Sequence, residues 1–158
     1  MMRRTLVFAL ALGILACGKE APPEQAMDFI FFGGNIVTRS AQTPQVEAVA
    51  VKDGRVADMG TFKDMHDAHA GVLTRMIDLD GGTMVPGVVD SLQATDVSGV
   101  LEVLAAGTSE PAPSIAIGSA ADFVVFSRDP LATGTEAPED LRVTRVIRDG
   151  ETVYRAGH

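Results

Sequence analysis

Apolar and polar positions alternate along most of this chain in short runs, each closed by a turn signal. Phe29–Phe32 and Asn35–Thr38 are apolar or β-branched stretches on either side of Gly33-Gly34. Val46–Lys52 and Arg55–Met59 flank Asp53-Gly54 in the same way. Runs of this kind bounded by glycine predict strands. An Asp-Gly pair between two of them predicts a tight hairpin, because both turn residues need positive φ. Arg75–Asp80 and Thr83–Val85 form a further strand pair around Gly81-Gly82. Ala121–Ser127 is a strand whose centre, Phe123–Phe126, is apolar on both faces, which predicts a place inside a sheet or between layers. Arg142–Arg148 and Glu151–Arg155 form the last hairpin, around Asp149-Gly150.

Helical spacing occurs twice. Thr61–Ala70 predicts a short helix, with Thr61 as its cap and Asp64 three residues on completing a capping box. Val97–Ala106 places Val97, Val100, Leu101 and Leu104 on one face. Ser109–Ser114 contains two prolines and breaks regular structure, and Pro130–Asp140 reads as a loop. About nine short strands with closely spaced turns predict a mainly β fold, a small β-sandwich with one or two short helices. No internal repeat or low-complexity tract is visible.

Composition narrows the picture. Of 158 residues, 46% are apolar, enough for a core and too many for a disordered chain. The formal charge is −8 and no lysine or arginine run extends beyond the Arg3-Arg4 pair, which argues against a nucleic-acid partner, since phosphate binding needs a basic face. Arg3 and Arg4 precede an apolar run, Thr5–Ala16, in the layout of a secretory leader. That run falls short of the roughly 20 residues needed to span a bilayer. Ile14-Leu15-Ala16-Cys17-Gly18 resembles a bacterial lipobox, in which the cysteine is lipidated and becomes the first residue. Cys17 is the single cysteine, so no internal disulfide can form. The alternative is a plain secretory leader with a coincidental cysteine. The expected layout is a leader over 1–16, a tether over 17–26 containing Pro22-Pro23, and one folded domain over 27–157. The place implied is the bacterial cell envelope, lipid-anchored at the outer membrane or periplasmic face. Loss of residues 1–16 removes two arginines and no acid, taking the charge to −10.

One motif points to chemistry and then stops short. Pro86-Gly87-Val88-Val89-Asp90 resembles the P-G-x-x-D that opens the metal site of amidohydrolases, where D-x-H-x-H supplies two histidines. Here those histidine positions hold Leu92 and Ala94. Two longer blocks resemble the two ends of an amidohydrolase of the subgroup acting on N-acyl and cyclic amides. The first, Asp28–Asp90, runs to Gly82-Thr83-Met84-Val85-Pro86-Gly87. The second, Ile117–Gly157, contains Gly118-Ser119-Ala120-Ala121-Asp122-Phe123-Val124-Val125-Phe126, Asp129-Pro130-Leu131 and the closing hairpin.

The resemblance implies that the two ends, 27–90 and 115–157, form a β-sandwich. The family's (β/α)₈ barrel, of roughly 250 residues, would lie between them and carry one or two divalent, zinc-type ions that turn water into hydroxide. Only residues 91–114 stand in that place here, so the resemblance implies a barrel-deleted form with no metal, cofactor or catalytic residue of its own. Two further readings stay open. In one, the sandwich completes a separately encoded barrel subunit or pairs with a second copy; in the other, the chain is a small ligand-binding lipoprotein.

Other candidate residues have ordinary readings beside the chemical ones. His66 and His69, spaced i, i+3 on the predicted helix, could hold zinc with Asp64 or Asp67; a solvated helix face is the favoured reading, because a catalytic site needs a third ligand and an enclosed cavity. His158 is the last residue in the sequence. Asp90 reads as a strand-end or cap residue once the family ligands are gone. Asp78 and Asp80 alternate along a strand and could hold a cation, or simply face solvent. No Ser-His-Asp or Cys-His arrangement can be assembled.

Overall fold

A computed structural model of the protein describes residues 26–87, 113–130 and 140–157. Eight strands and one helix form in the order β1 (Phe29–Val37), β2 (Gln45–Lys52), β3 (Arg55–Gly60), α1 (Phe62–His69), β4 (Arg75–Asp78), β5 (Thr83–Pro86), β6 (Phe123–Phe126), β7 (Val143–Arg148) and β8 (Glu151–Arg155). They make one mixed sheet ordered β3-β2-β1-β5-β6-β7-β8, with β4 also paired to β1. The mainly β, sandwich-like fold expected from the pattern is the one found. The predicted helix Val97–Ala106 and most of the predicted loops Ser109–Ser114 and Pro130–Asp140 lie outside the described residues.

Burial explains how one sheet makes a sandwich-like body. Phe31 of β1, Val49 of β2, Met84 of β5, Phe123 of β6 and Ile147 of β7 belong to a single buried cluster. The sheet therefore curls until its two ends share one interior. The β5–β6 pairing, from Thr83 opposite Phe126 to Pro86 opposite Phe123, joins the early and late parts of the chain. Residues 115–121 lace the seam. Ile115 donates its N–H to the Thr38 carbonyl at 2.8 Å, Gly118 to Val56 at 2.7 Å, and Ala121 to Gly54 at 2.9 Å. Helix α1 covers the outer face of β1 and β2, where Met65 packs with Ile30, Ala48 and Ala50. Thr61 caps it as predicted, its hydroxyl oxygen accepting from the Asp64 N–H at 3.1 Å.

Two local expectations are corrected. Gly33-Gly34 does not separate two strands, because β1 runs through it with a bulge between Phe32 and Ile36. Gly33 has φ +76°, and a Cβ there would sit 2.2 Å from Asp78 Oδ1. The expected pairing of Arg75–Asp80 with Thr83–Val85 is also absent. β4 and β5 both run parallel to β1, β4 beside Phe29–Phe32 and β5 beside Asn35–Ile36. The turn between them uses Asp80-Gly81, both at positive φ, to step from one half of β1 to the other. The nine expected strands are thus eight among the described residues.

A repeat that the sequence reading missed organises the sheet. Asp28-Phe29-Ile30-Phe31-Phe32 and Asp122-Phe123-Val124-Val125-Phe126 each open a three-stranded meander, β1-β2-β3 and β6-β7-β8. Phe29 lies opposite Val51 and Phe123 opposite Ile147, each partner standing two residues before an Asp-Gly turn. Both meanders then bulge at the same step, between Ala50 and Val51 in one and between Val146 and Ile147 in the other. The opening aspartate holds the turn in each. Asp28 accepts from the Asp53 N–H at 2.8 Å, and Asp122 from the Asp149 N–H at 2.9 Å. The units share little sequence beyond Asp-Phe and Asp-Gly, which hides them from a residue-by-residue reading.

Partial burial pushes the Asp28 carboxyl up, but the Asp53 N–H and the Lys52 ammonium 3.2 Å away outweigh it and hold the group below its usual 3.8. A carboxyl lowered on folding adds stability above its unfolded pKa, and that stability is lost as pH falls through the folded value. Asp28→Asn should therefore cost about 0.5–1 kcal/mol at neutral pH, the scale of a half-exposed pair. The gap between variant and wild type should close as the pH drops below 3.8. Urea denaturation across that range checks it, and a gap that persists into acid would refute the assignment.

Candidate functional site

The Pro86-Gly87 remnant sits at the end of β5, whose residues Thr83–Pro86 are all buried. A proline is tolerated there because β1 pairs with β5 only at Thr83 and Met84, so the missing N–H breaks no ladder bond on that edge. The Gly87 N–H donates to the Asp122 carbonyl at 3.0 Å. A Cβ on Gly87 would press on Val124 Cγ2 at 3.1 Å. These two residues thus fasten β5 to β6. Asp90, Leu92, Ala94, Cys17 and His158 lie outside the described residues.

The two helix histidines diverge. His66 Nδ1 lies 3.4 Å from Asp67 Oδ1 on the exposed side of α1, and its ring is 5.8 Å from that of Phe62. His69 turns toward the sheet, its Nε2 2.8 Å from Asp58 Oδ2 on β3, with its Nδ1 buried and unpartnered. Asp64 accepts from the Thr61 hydroxyl. Asp67 pairs with Lys63, whose hydrogen bond lowers the Asp67 carboxyl and raises the Lys63 ammonium from their ordinary values.

Asp78 and Asp80 do not make a cation pair. Asp78 Oδ1 accepts from the Asp80 N–H at 2.9 Å, which braces the turn. Asp80 lies beyond the end of β4 and pairs with Arg145. Among the described residues no three His, Cys, Asp or Glu side chains converge as a metal would need.

Two concave surfaces stand out among the described residues. An open groove of ≈ 680 Å³ runs along the β1 bulge, lined by Phe32, Asn35, Val46, Glu47 and Phe62. Its carboxylate is committed, since Glu47 accepts from the Phe62 N–H at 3.0 Å and helps cap α1. The Phe32 and Phe62 rings stack with centroids 4.7 Å apart. A second, deeper pocket of ≈ 400 Å³ lies beside β7 and β8 and is lined by Arg142, Arg145 and Arg155. Sequence reading missed it, because the three arginines are scattered along the chain; the β7–β8 register sets Arg145 opposite Arg155, and bonds to Ser127 hold Arg142 beside them.

Comparison with known proteins gives one informative likeness. No family model matches the chain. Over 65 residues it is 35% identical to YtcJ of Bacillus subtilis (strain 168), a protein whose name assigns it provisionally to the amidohydrolases. The match takes in 41% of this chain and only 12% of the length of YtcJ. This likeness supports a relation to the amidohydrolase-like proteins. Among solved structures the chain is similar to BT9727_2919 from Bacillus thuringiensis, with 32% identity and a TM-score of 0.37, over 42% of this chain and 86% of that one. No helix among the described residues is long and apolar enough to cross a membrane.

Proposed function

We propose that this protein is a bacterial envelope lipoprotein, anchored through Cys17, that keeps the sandwich of an amidohydrolase without hydrolysing C–N bonds itself. The two halves, 27–90 and 115–157, are joined by 91–114 where the family carries its barrel. The observation that carries the reading is the meeting of Pro86-Gly87 and β6. The residues that resemble the entrance to the family's metal site pair directly with the strand that resembles its far end. Leu92 and Ala94 stand at the histidine positions of the motif and cannot bind a metal. The likeness to YtcJ agrees with this ancestry.

The test is an assay of the purified full chain, supplied with zinc, on N-acyl amino acids and cyclic amides. No turnover above the protein-free blank is expected, and chelator should change nothing. Metal-dependent turnover would overturn the reading. Cys17→Ser should in parallel move the chain from the membrane to the soluble fraction; a variant that stays in the membrane argues against the lipid anchor.

A second reading is favoured by exposed apolar side chains at Val72, Leu73, Ile117 and Val153. If they gather into one surface, that surface would serve as an interface, either with a separate barrel subunit or with a second copy. Light scattering on the full chain at high concentration separates these cases, because a clean monomer removes the homodimer.

A further inference from the structure

The two meanders differ most sharply where the arginines stand. In the first, Val49 of β2 lies directly opposite Met59 of β3, and both pack against the core. The equivalent pair in the second meander is Arg145 opposite Arg155. Like charges facing each other across a strand pair destabilise a sheet. The fold itself accepts apolar residues at this step, as Val49 and Met59 demonstrate, so packing does not require the arginines. Arg145 is also withdrawn from water, its side chain only 10% exposed, and a buried guanidinium is costly unless fully paired. Its Nη2 donates to Asp80 Oδ2 at 3.1 Å. Arg142 and Arg155 form no ion pair with another described residue. Among the described residues that line this pocket, one carboxylate, Asp80, therefore stands with three arginines, in a chain whose formal charge is −8.

We propose that this pocket binds a small soluble molecule through a carboxylate or phosphate group. Guanidinium forks match both anions with paired N–H bonds. The volume of ≈ 400 Å³ suits a ligand of metabolite size. Ser127 adds a hydroxyl at the rim. Its oxygen accepts from the Arg142 N–H at 3.2 Å, leaving its own O–H to donate. The anion adds the negative charge that Asp80 alone does not supply to the Arg145–Arg155 pair.

Titration calorimetry of the full chain in detergent, at low ionic strength, tests this with inorganic phosphate and succinate as probes. Binding of at least one, with Kd about 1 mM or tighter, is expected. Binding of one probe alone identifies which oxyanion the pocket prefers. Arg155→Gln should weaken it about ten-fold, and Arg142→Gln with Arg155→Gln should abolish it, each lost charge-assisted bond contributing on that scale. Both side chains are exposed, so these variants keep the circular dichroism of the wild type. Arg145→Met restores the apolar residue type of the first meander. It should lose binding while melting no lower than wild type, whereas a purely structural arginine would lower the melting temperature when removed. Absence of heat with both probes to about 10 mM, or unchanged binding in the double variant, overturns the proposal.

Discussion

Phe123→Ala should unfold both halves of the protein together, at a cost of about 3–5 kcal/mol. Phe123 is 1% exposed, and its ring meets that of Phe31 edge to face with centroids 5.7 Å apart. Phe31 belongs to the first meander and Phe123 to the second, so this contact ties the two across the shared interior. Removing the ring leaves a cavity bounded by strands from both meanders, and a pleated sheet cannot collapse into such a void without losing register. Urea denaturation followed by far-ultraviolet circular dichroism should give one transition at a lower midpoint with an unchanged slope. A double-mutant cycle with Phe31→Ala should return a coupling of about 0.5–1.5 kcal/mol. Two separate transitions, or a loss under about 1 kcal/mol, would show that the halves do not share a core. Val153→Ala serves as the control, because that side chain is 57% exposed and should change stability by less than about 0.5 kcal/mol.

What the sequence discloses of this fold is its local chemistry. Asp53-Gly54 and Asp149-Gly150 are legible as hairpin turns because the need for positive φ is written in the residue pair itself, and all four residues adopt it. The cap at Thr61 is legible for the same reason, a side chain and the amide it satisfies being three residues apart. Gly33-Gly34 misleads because a glycine pair has two uses. It can reverse the chain, or it can let another segment come close, and the choice depends on Asp78 and Gly82, far along the chain. The parallel placement of β4 and β5 follows from that approach and is equally hidden. His66 and His69 look like neighbours at i, i+3, yet Asp58 on β3 draws His69 away. The arginine pocket exists only once the β7–β8 register is known.

The repeat also bears on the functional reading. Two meanders with the same bulge and the same aspartate-held turn meet at their tips, where a Cβ on Gly54 would lie 3.2 Å from Asp149 Cβ. Each leaves one face unfilled alone, and together they enclose one core. A sandwich made this way needs only that its halves be brought within reach. A short connection suffices in principle as well as a long inserted domain, because the pairing of β5 with β6 is made by residues on either side of the connection and not by the connection itself. The barrel loss proposed above is therefore compatible with survival of the scaffold.

Gly34→Ala should be the most damaging single methyl in the described part of the chain, at about 3 kcal/mol. A Cβ at this position would lie 2.3 Å from the Gly82 carbonyl oxygen and 2.8 Å from Leu79 Cβ. The first neighbour is backbone and cannot rotate aside, so the chain itself must move. That carbonyl accepts the Asn35 N–H at 2.9 Å, at the point where β5 takes over from β4 along β1. Displacing it breaks the bond and pushes β5 outward, and β5 is the strand through which β6, β7 and β8 join the sheet. Steric overpacking of about 1–3 kcal/mol and a lost hydrogen bond of about 1 kcal/mol act in the same direction. Gly81→Ala gives the contrast: no atom lies within 4 Å of its Cβ position, and only the strain of φ +75° opposes it, so about 1 kcal/mol is expected. Denaturation curves for the two variants should therefore differ by about 2 kcal/mol, with Gly34→Ala the less stable. Equal losses would mean that backbone strain, and not the close approach of the Leu79–Gly82 turn to β1, decides how the two halves of the sheet are joined.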